Sequence, residues 1–184
     1  MKKTGANSKN TGKLPAVRPG TTISSPITSS DVAEFDYVDT SGVFHVETDI
    51  HDIHDYEQKP KTMVEHFASL VTDGTYTEQG KRNERQPYKP GMPFFVSEYG
   101  GIGWSLDEKA WGYGNAPKTE EEFLERLKGL TDALLDNPKI FAFCYTQLTD
   151  VEQEQNGLYT YDRRPKFPPE VIRPIFSKKA AIED

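Results

Sequence analysis

The chain reads as an α/β protein built on a parallel sheet, and two patterns predict it. Three short apolar runs alternate along the sequence with amphipathic helical stretches. Strand–loop–helix units in series imply parallel strands joined by right-handed crossovers. The polar and glycine-rich segments supply the second pattern. They read as three long loops that follow strands and so share the C-terminal edge of the sheet. Ligands bind at that edge both in closed barrels and in open α/β sheets. The pattern alone fits either architecture.

Each element has its own signal. Residues 1–34 are rich in Lys, Thr, Ser, Gly, Asn and Pro and lack periodicity, so they are predicted to be a disordered tail. Residues 35–184 form the remaining unit, within the length of one domain or part of a larger one. Val43 to Val46 and Asp49 to Tyr56 read as extended chain leading into a polar strand end. Thr62 and Glu65 have the spacing of a capping box, and Met63, Phe67 and Leu70 follow at helical intervals. That helix is predicted to end near Val71. A polar segment from Thr72 to Gly91 comes next; a loop of that length is often functional. Pro93 to Gly100 reads as a short buried strand ending in a carboxylate, Glu98, and a glycine turn. Thr119 and Glu122 form a second capping box, and Phe123, Leu127, Leu130 and Leu134 make an apolar stripe that Asn137-Pro138 ends. Ile140 to Tyr145 reads as a third buried strand, with Cys144 a small buried hydrophobe within it. A polar loop from Thr146 to Lys166 leads to a last helix opened by Pro168-Pro169-Glu170.

Composition narrows the function. A net charge of −7 and the lack of a basic stripe interleaved with aromatics argue against nucleic acid and anionic membrane as partners. No apolar run approaches the ~18 residues of a membrane span. The N-terminal lysines precede no apolar segment, so no signal peptide is read and a cytoplasmic location is the default expectation. One cysteine cannot form an internal disulfide. No cofactor motif stands in its proper context: Gly100-Gly101-Ile102-Gly103 resembles a dinucleotide loop, but no helical pattern opens after it.

Carboxylates are the remaining chemistry. Glu98 at a strand tip suits a catalytic role, although a helix cap or an ion pair would use the same residue. His45, His51 and His54 alternate with Asp49, Asp52 and Asp55. Strand alternation puts His51 and His54 on opposite faces, which argues against a metal site. Glycoside hydrolysis needs two carboxylates, one to protonate the leaving oxygen and one to attack or activate water. Asn83-Glu84 lies in a charged run with no strand before it and reads as solvated loop. Asp150, Glu152 and Glu154 follow the third strand and also read best as a solvated loop face.

Several segments together carry a family resemblance. They are Asp49 to Tyr56, Phe94 to Gly101, Trp111-Gly112-Tyr113-Gly114, Phe143 to Asp150, and Asn156 to Lys166, in that order. With them the chain resembles glycoside hydrolase family 2, the β-galactosidase and β-glucuronidase family, over roughly residues 36–183. The resemblance implies the C-terminal portion, about strands five or six to eight, of a TIM (β/α)8 barrel acting as a retaining β-glycosidase. It implies Glu98 as nucleophile and Tyr56 as the tyrosine that orients it. His54, Tyr145, Trp104 and Trp111 would be substrate-binding residues for a β-glycoside. The family's general acid/base, a Glu after Asn on strand four, has no counterpart, so the chain reads as truncated: either a shortened gene product, inactive or nearly so alone, or one completed by a complementing N-terminal chain. The Asn-x-Lys pair that marks glucuronidases is absent from Asn156-Gly157-Leu158, which argues against glucuronic acid. The alternative is a non-catalytic carbohydrate-binding or interaction module derived from such an enzyme.

Overall fold

The structure is a computed structural model and describes residues 49–77, 88–105 and 109–184. The predicted tail, Val43 to Val46 and Asn83-Glu84 lie outside the described residues. Strands β1 (His51–Asp55), β2 (Phe94–Gly100) and β3 (Ile140–Thr146) form one parallel sheet in the order β1-β2-β3. Helices α1 (Pro60–Thr72), α2 (Glu120–Leu135) and α3 (Pro169–Phe176) each follow a strand, and a short 3-10 turn at Ala181–Glu183 ends the chain. The result is a small α/β unit with a parallel sheet and three helices. Among the described residues no helix is long and apolar enough to cross a membrane.

Helix α1 begins earlier than its predicted capping box. Pro60 occupies the first turn, where its fixed φ fits a helix and its missing N–H costs nothing. The Glu57 carboxylate accepts from the amides of Gln58 and Lys59, each at 2.8 Å, so no cap from Thr62 is needed. Thr62 is interior, and Glu65 instead lies 3.9 Å from Lys61 on the exposed surface. The second capping box does form: Thr119 Oγ1 accepts from the Glu122 amide at 3.1 Å. Its return contact is shifted by one residue, with Glu122 Oε2 accepting from the Lys118 amide at 2.6 Å. Three glutamates in the first turn also complement the helix dipole.

The core lies between the helices and one face of the sheet. Met63, Phe67 and Leu70 from α1 and Phe123, Leu127, Leu130 and Leu134 from α2 meet Ile53, Phe94, Val96, Tyr99 and Ile140. Burial of each such side chain is worth ~1.5–3 kcal/mol. At the end of α2, Asn137 donates to the Phe67 carbonyl at 3.1 Å and so ties α2 to α1.

Two expectations fail here. The segment from Thr72 follows a helix, not a strand, and its described ends lie by the N-terminal edge of the sheet. Its flanking Tyr76 and Tyr88 pack around His51 at the start of β1, with ring centroids 5.8 and 5.2 Å away. Of the three predicted long loops, only the two after β2 and β3 follow a strand. Nor is Cys144 buried. It lies on an edge strand whose second face no helix of the described residues covers, and Phe141 is exposed there too.

Candidate active site

The site forms where β1 and β2 end. The two strands shift register between Ile53 and His54, after which His54 pairs with Glu98 and Asp55 with Tyr99. This shift lets Tyr99 point into the helix-side core, where its hydroxyl meets Thr131 Oγ1 at 2.8 Å. Glu98 is thereby turned to the second face. Its side chain is 38% exposed, and that of His54 is 21% exposed.

Two groups converge on one oxygen of Glu98. The Tyr56 hydroxyl donates to Oε2 in a short hydrogen bond. His54 Nδ1 lies 3.2 Å from the same atom. No hydrogen bond to Oε1 is made among the described residues. Burial, then the hydrogen bond to Glu98, pushes the Tyr56 phenol far above its ordinary pKa. Tyr56 is thus a permanent donor at any physiological pH. The field of Glu98 reaches β3 as well: partial burial and then the Glu98 charge push the Cys144 thiol up.

Tyr56 is held on its other side by Tyr113, whose ring stacks at 3.6 Å and 8°. Gly101 makes room for the pair. Its φ is +61°, and an added Cβ would come within 2.4 Å of Tyr113 and 2.9 Å of Tyr56. Trp111 meets the edge of Tyr113 at 5.9 Å and is 48% exposed. Trp111, Tyr113, Tyr56 and Glu98 therefore form a continuous series from solvent to the carboxylate. Beside the stack lies an open cleft of about 450 Å³ lined by Tyr56, Gln58, Tyr113, Asn115 and Arg126 among others. One further anchor is Asp55, which accepts from the Glu57 amide at 2.9 Å and pairs with His66 at 2.7 Å.

Glu98, Tyr56 and His54 come together, and Trp111 joins them through Tyr113. Tyr145 and Trp104 do not. The Tyr145 ring packs against Tyr99 and Phe176 on the helix side, and its hydroxyl donates to the Asn156 carbonyl at 3.3 Å. Its pairing opposite Tyr99 in the ladder puts it on the face away from Glu98. Trp104 lies against Phe123 and Phe167, with centroids 5.6 Å from each, so it packs as core. Asp150 is buried, not a solvated loop residue. Its Oδ1 accepts from the Lys166 ammonium at 2.7 Å and the Gly157 amide at 2.9 Å. Lys166 also reaches the Trp104 carbonyl at 2.8 Å, so this pair knits the loops after β2 and β3 together. Burial pulls the Lys166 pKa down despite the Asp150 partner. Sequence reasoning did not pick out Tyr113 or Gln58 as site residues. Tyr113 stands within one of the segments that carry the resemblance, but its role beside Tyr56 emerges only when the loop folds back on β1.

The architecture is of the kind found in glycoside hydrolases. Its fold is similar to that of solved β-glycuronidases of glycoside hydrolase family 2. Lactobacillus rhamnosus β-glucuronidase aligns at TM-score 0.50 and 17% identity, over 71% of this chain and 22% of that one. A family 2 β-galacturonidase from Eisenbergiella tayi bound to glycerol aligns at 0.49 and 17%, over 70% and 23%. Bacteroides uniformis β-glucuronidase aligns at 0.43 and 19%, over 65% and 14%. At these identities the likeness is one of fold, and the chain spans less than a quarter of each of those proteins. No protein-family model matches the chain, and no curated protein does.

Proposed function

We propose that the chain carries the nucleophile side of a retaining β-glycosidase site of the family 2 type, the C-terminal part of a (β/α)8 barrel. The observation that supports it is the convergence of the Tyr56 hydroxyl and His54 Nδ1 on Glu98 Oε2 at a strand's C-terminal end. The phenol donates to one carboxylate oxygen, and the imidazole nitrogen stands beside the same atom. Together they fix the direction of the carboxylate and leave the second oxygen to attack.

In this mechanism Glu98 forms a bond to the anomeric carbon as the bond to the leaving oxygen breaks. A general acid gives its proton to that oxygen. It then takes a proton from the water that displaces Glu98, and the sugar leaves with its configuration retained. Among the described residues no second carboxylate is paired with Glu98 or its partners, so the acid would come from outside them. In a retaining enzyme the two carboxyl groups stand ~5–5.5 Å apart. Without the acid, turnover of ordinary glycosides would fall by ~10²–10⁴-fold.

The substrate is proposed to be an uncharged β-glycoside. By the resemblance, Leu158 stands where a glucuronidase has the lysine of its Asn-x-Lys pair; here it is buried in the core, and Lys166 is committed to Asp150. The exposed Trp111 favours a second reading, a carbohydrate-binding module without turnover. An activated 2-deoxy-2-fluoro β-glycoside separates the two, because its leaving group needs no acid. Mass spectrometry is expected to find the sugar on the peptide containing Glu98. An adduct on any other carboxylate would sink the nucleophile assignment. Sugar binding with no adduct would favour the binding module.

A further inference from the structure

We propose that Gln58 is a positioning residue: its side-chain amide acts as an added rung across the ends of β1 and β2 and sets the Tyr56–Glu98 hydrogen bond. The last β1–β2 ladder pair is Asp55 with Tyr99, so Tyr56 lies just past that ladder, beside Gly100, the last residue of β2. At Gly100 the chain turns away with φ +92°. Among the described residues no backbone–backbone hydrogen bond then joins Tyr56 to the strand that carries Glu98. Gln58 Nε2 fills this gap. It donates to the Tyr56 carbonyl at 3.1 Å and to the Gly100 carbonyl at 2.6 Å. An amide nitrogen has two N–H groups, and each strand end takes one.

The amide is itself held. Its Oε1 lies 3.4 Å from Arg126 Nη1, and the same nitrogen donates to the Asn115 carbonyl at 2.7 Å. Gly114 closes over the stem: a Cβ there would come within 2.6 Å of Gln58 Cγ. A flipped amide would set its oxygen against two carbonyls and its nitrogen against a guanidinium, so the orientation is fixed by the network. Thus α2, the glycine loop and both strand ends meet at one side chain. Displacement of a reacting group by ~1 Å can cost ~10²-fold in rate, which is the scale of what such a rung protects. The catalytic meaning of the rung rests on Glu98 being the nucleophile; the rung itself does not.

The test reads the hydrogen bond directly in the full chain, with fluorotyrosine incorporated and the Tyr56 resonance assigned by Tyr56→Phe. Glu98→Gln provides the reference shift for a weakened acceptor. Gln58→Glu keeps the shape and the Arg126 contact but removes both donors. Gln58→Met keeps the bulk and removes every polar contact, so it covers failure of the first variant to fold. In either variant the Tyr56 resonance is expected to move most of the way toward its Glu98→Gln position, while those of Tyr99 and Tyr145 stay in place. A Tyr56 signal unchanged in both Gln58 variants, or unmoved by Glu98→Gln itself, overturns the proposal. Movement of all three signals together overturns it too, because Gln58 would then be a general peg of the fold. A fluorosugar adduct on another carboxylate would remove the nucleophile assignment and leave this readout untouched, so the two failures are distinguishable.

Discussion

The two faces of the sheet are built on opposite rules. On the helix side Phe94, Val96 and Tyr99 of β2 are fully buried beneath α1 and α2. On the other side Phe95, Ser97 and Glu98 of the same strand are only part-buried, and Phe141 and Cys144 of β3 are exposed. Polar groups there pair with one another across strands, as Ser97 does with Asp52 at 2.7 Å. The first face holds the fold and the second carries the proposed site. A strand buried on both sides would read as continuous apolar sequence. Here β2 spends Ser97 and Glu98 on the face that the helices leave alone.

The widest gap between the faces is expected from large-to-small changes. Phe67→Ala removes a fully buried ring packed on Phe94 and is expected to cost ~3–5 kcal/mol in urea unfolding. Phe95→Ala, on the second face against Phe141, is expected to cost less than half as much, because its ring is already partly in water. Equal costs would break the comparison and show that residues beyond the described ones pack on the second face.

A hydroxyl deletion sharpens the contrast at neighbouring positions. Tyr99→Phe keeps the ring and removes its contact with Thr131, which still donates to the Leu127 carbonyl at 2.8 Å. The expected loss is ~1 kcal/mol, the usual value of one buried hydrogen bond. Glu98→Gln, one residue earlier, is expected to change stability by less than ~0.5 kcal/mol and to abolish the fluorosugar adduct. A large stability cost at Glu98 would make it a structural carboxylate.

These adjacent residues also show what was legible. The three strand–helix units could be read from periodicity, and the cap at Thr119 from its spacing to Glu122. The helix-side stripe of α2 is local information, and local information survives in one dimension. Three things were not legible because they depend on which side of a strand a residue faces after a register shift. Tyr145 reads as a site aromatic but turns to the core. Cys144 reads as buried but faces outward on an edge strand. Glu98 and Tyr99 take opposite faces by alternation, but the shift between Ile53 and His54 decides that Tyr99 is the one turned to the helices, and no residue pattern announces it. Tyr113 and Gln58 matter only through partners in other loops, so no single segment could reveal them. Pro60 is a different case: a proline that fits the first turn of a helix is visible in the sequence, and it starts α1 two residues before the capping-box spacing of Thr62 and Glu65.

The smallest effect lies on the helix layer's outer rim, where Lys178 bridges Asp132 and Asp136 at 2.9 and 2.6 Å. These contacts join the end of α2 to the segment after α3. Burial raises the Asp132 pKa, but its hydrogen bonds to Lys128 and Lys178 outweigh that and leave it below the ordinary carboxylate value. The folded-state pKa is depressed, so the stability it confers is present above the unfolded value of about 3.8 and is lost as pH falls through the folded value. Lys178→Ala is expected to cost under ~1 kcal/mol at pH 7, since the pair is partly exposed and screened. The difference from wild type should persist from neutral pH down to that window and vanish below it, and should shrink in high salt. A gap that survives full protonation of Asp132 would mean that the lysine stem, packed against α2, and not its charge, holds the rim in place.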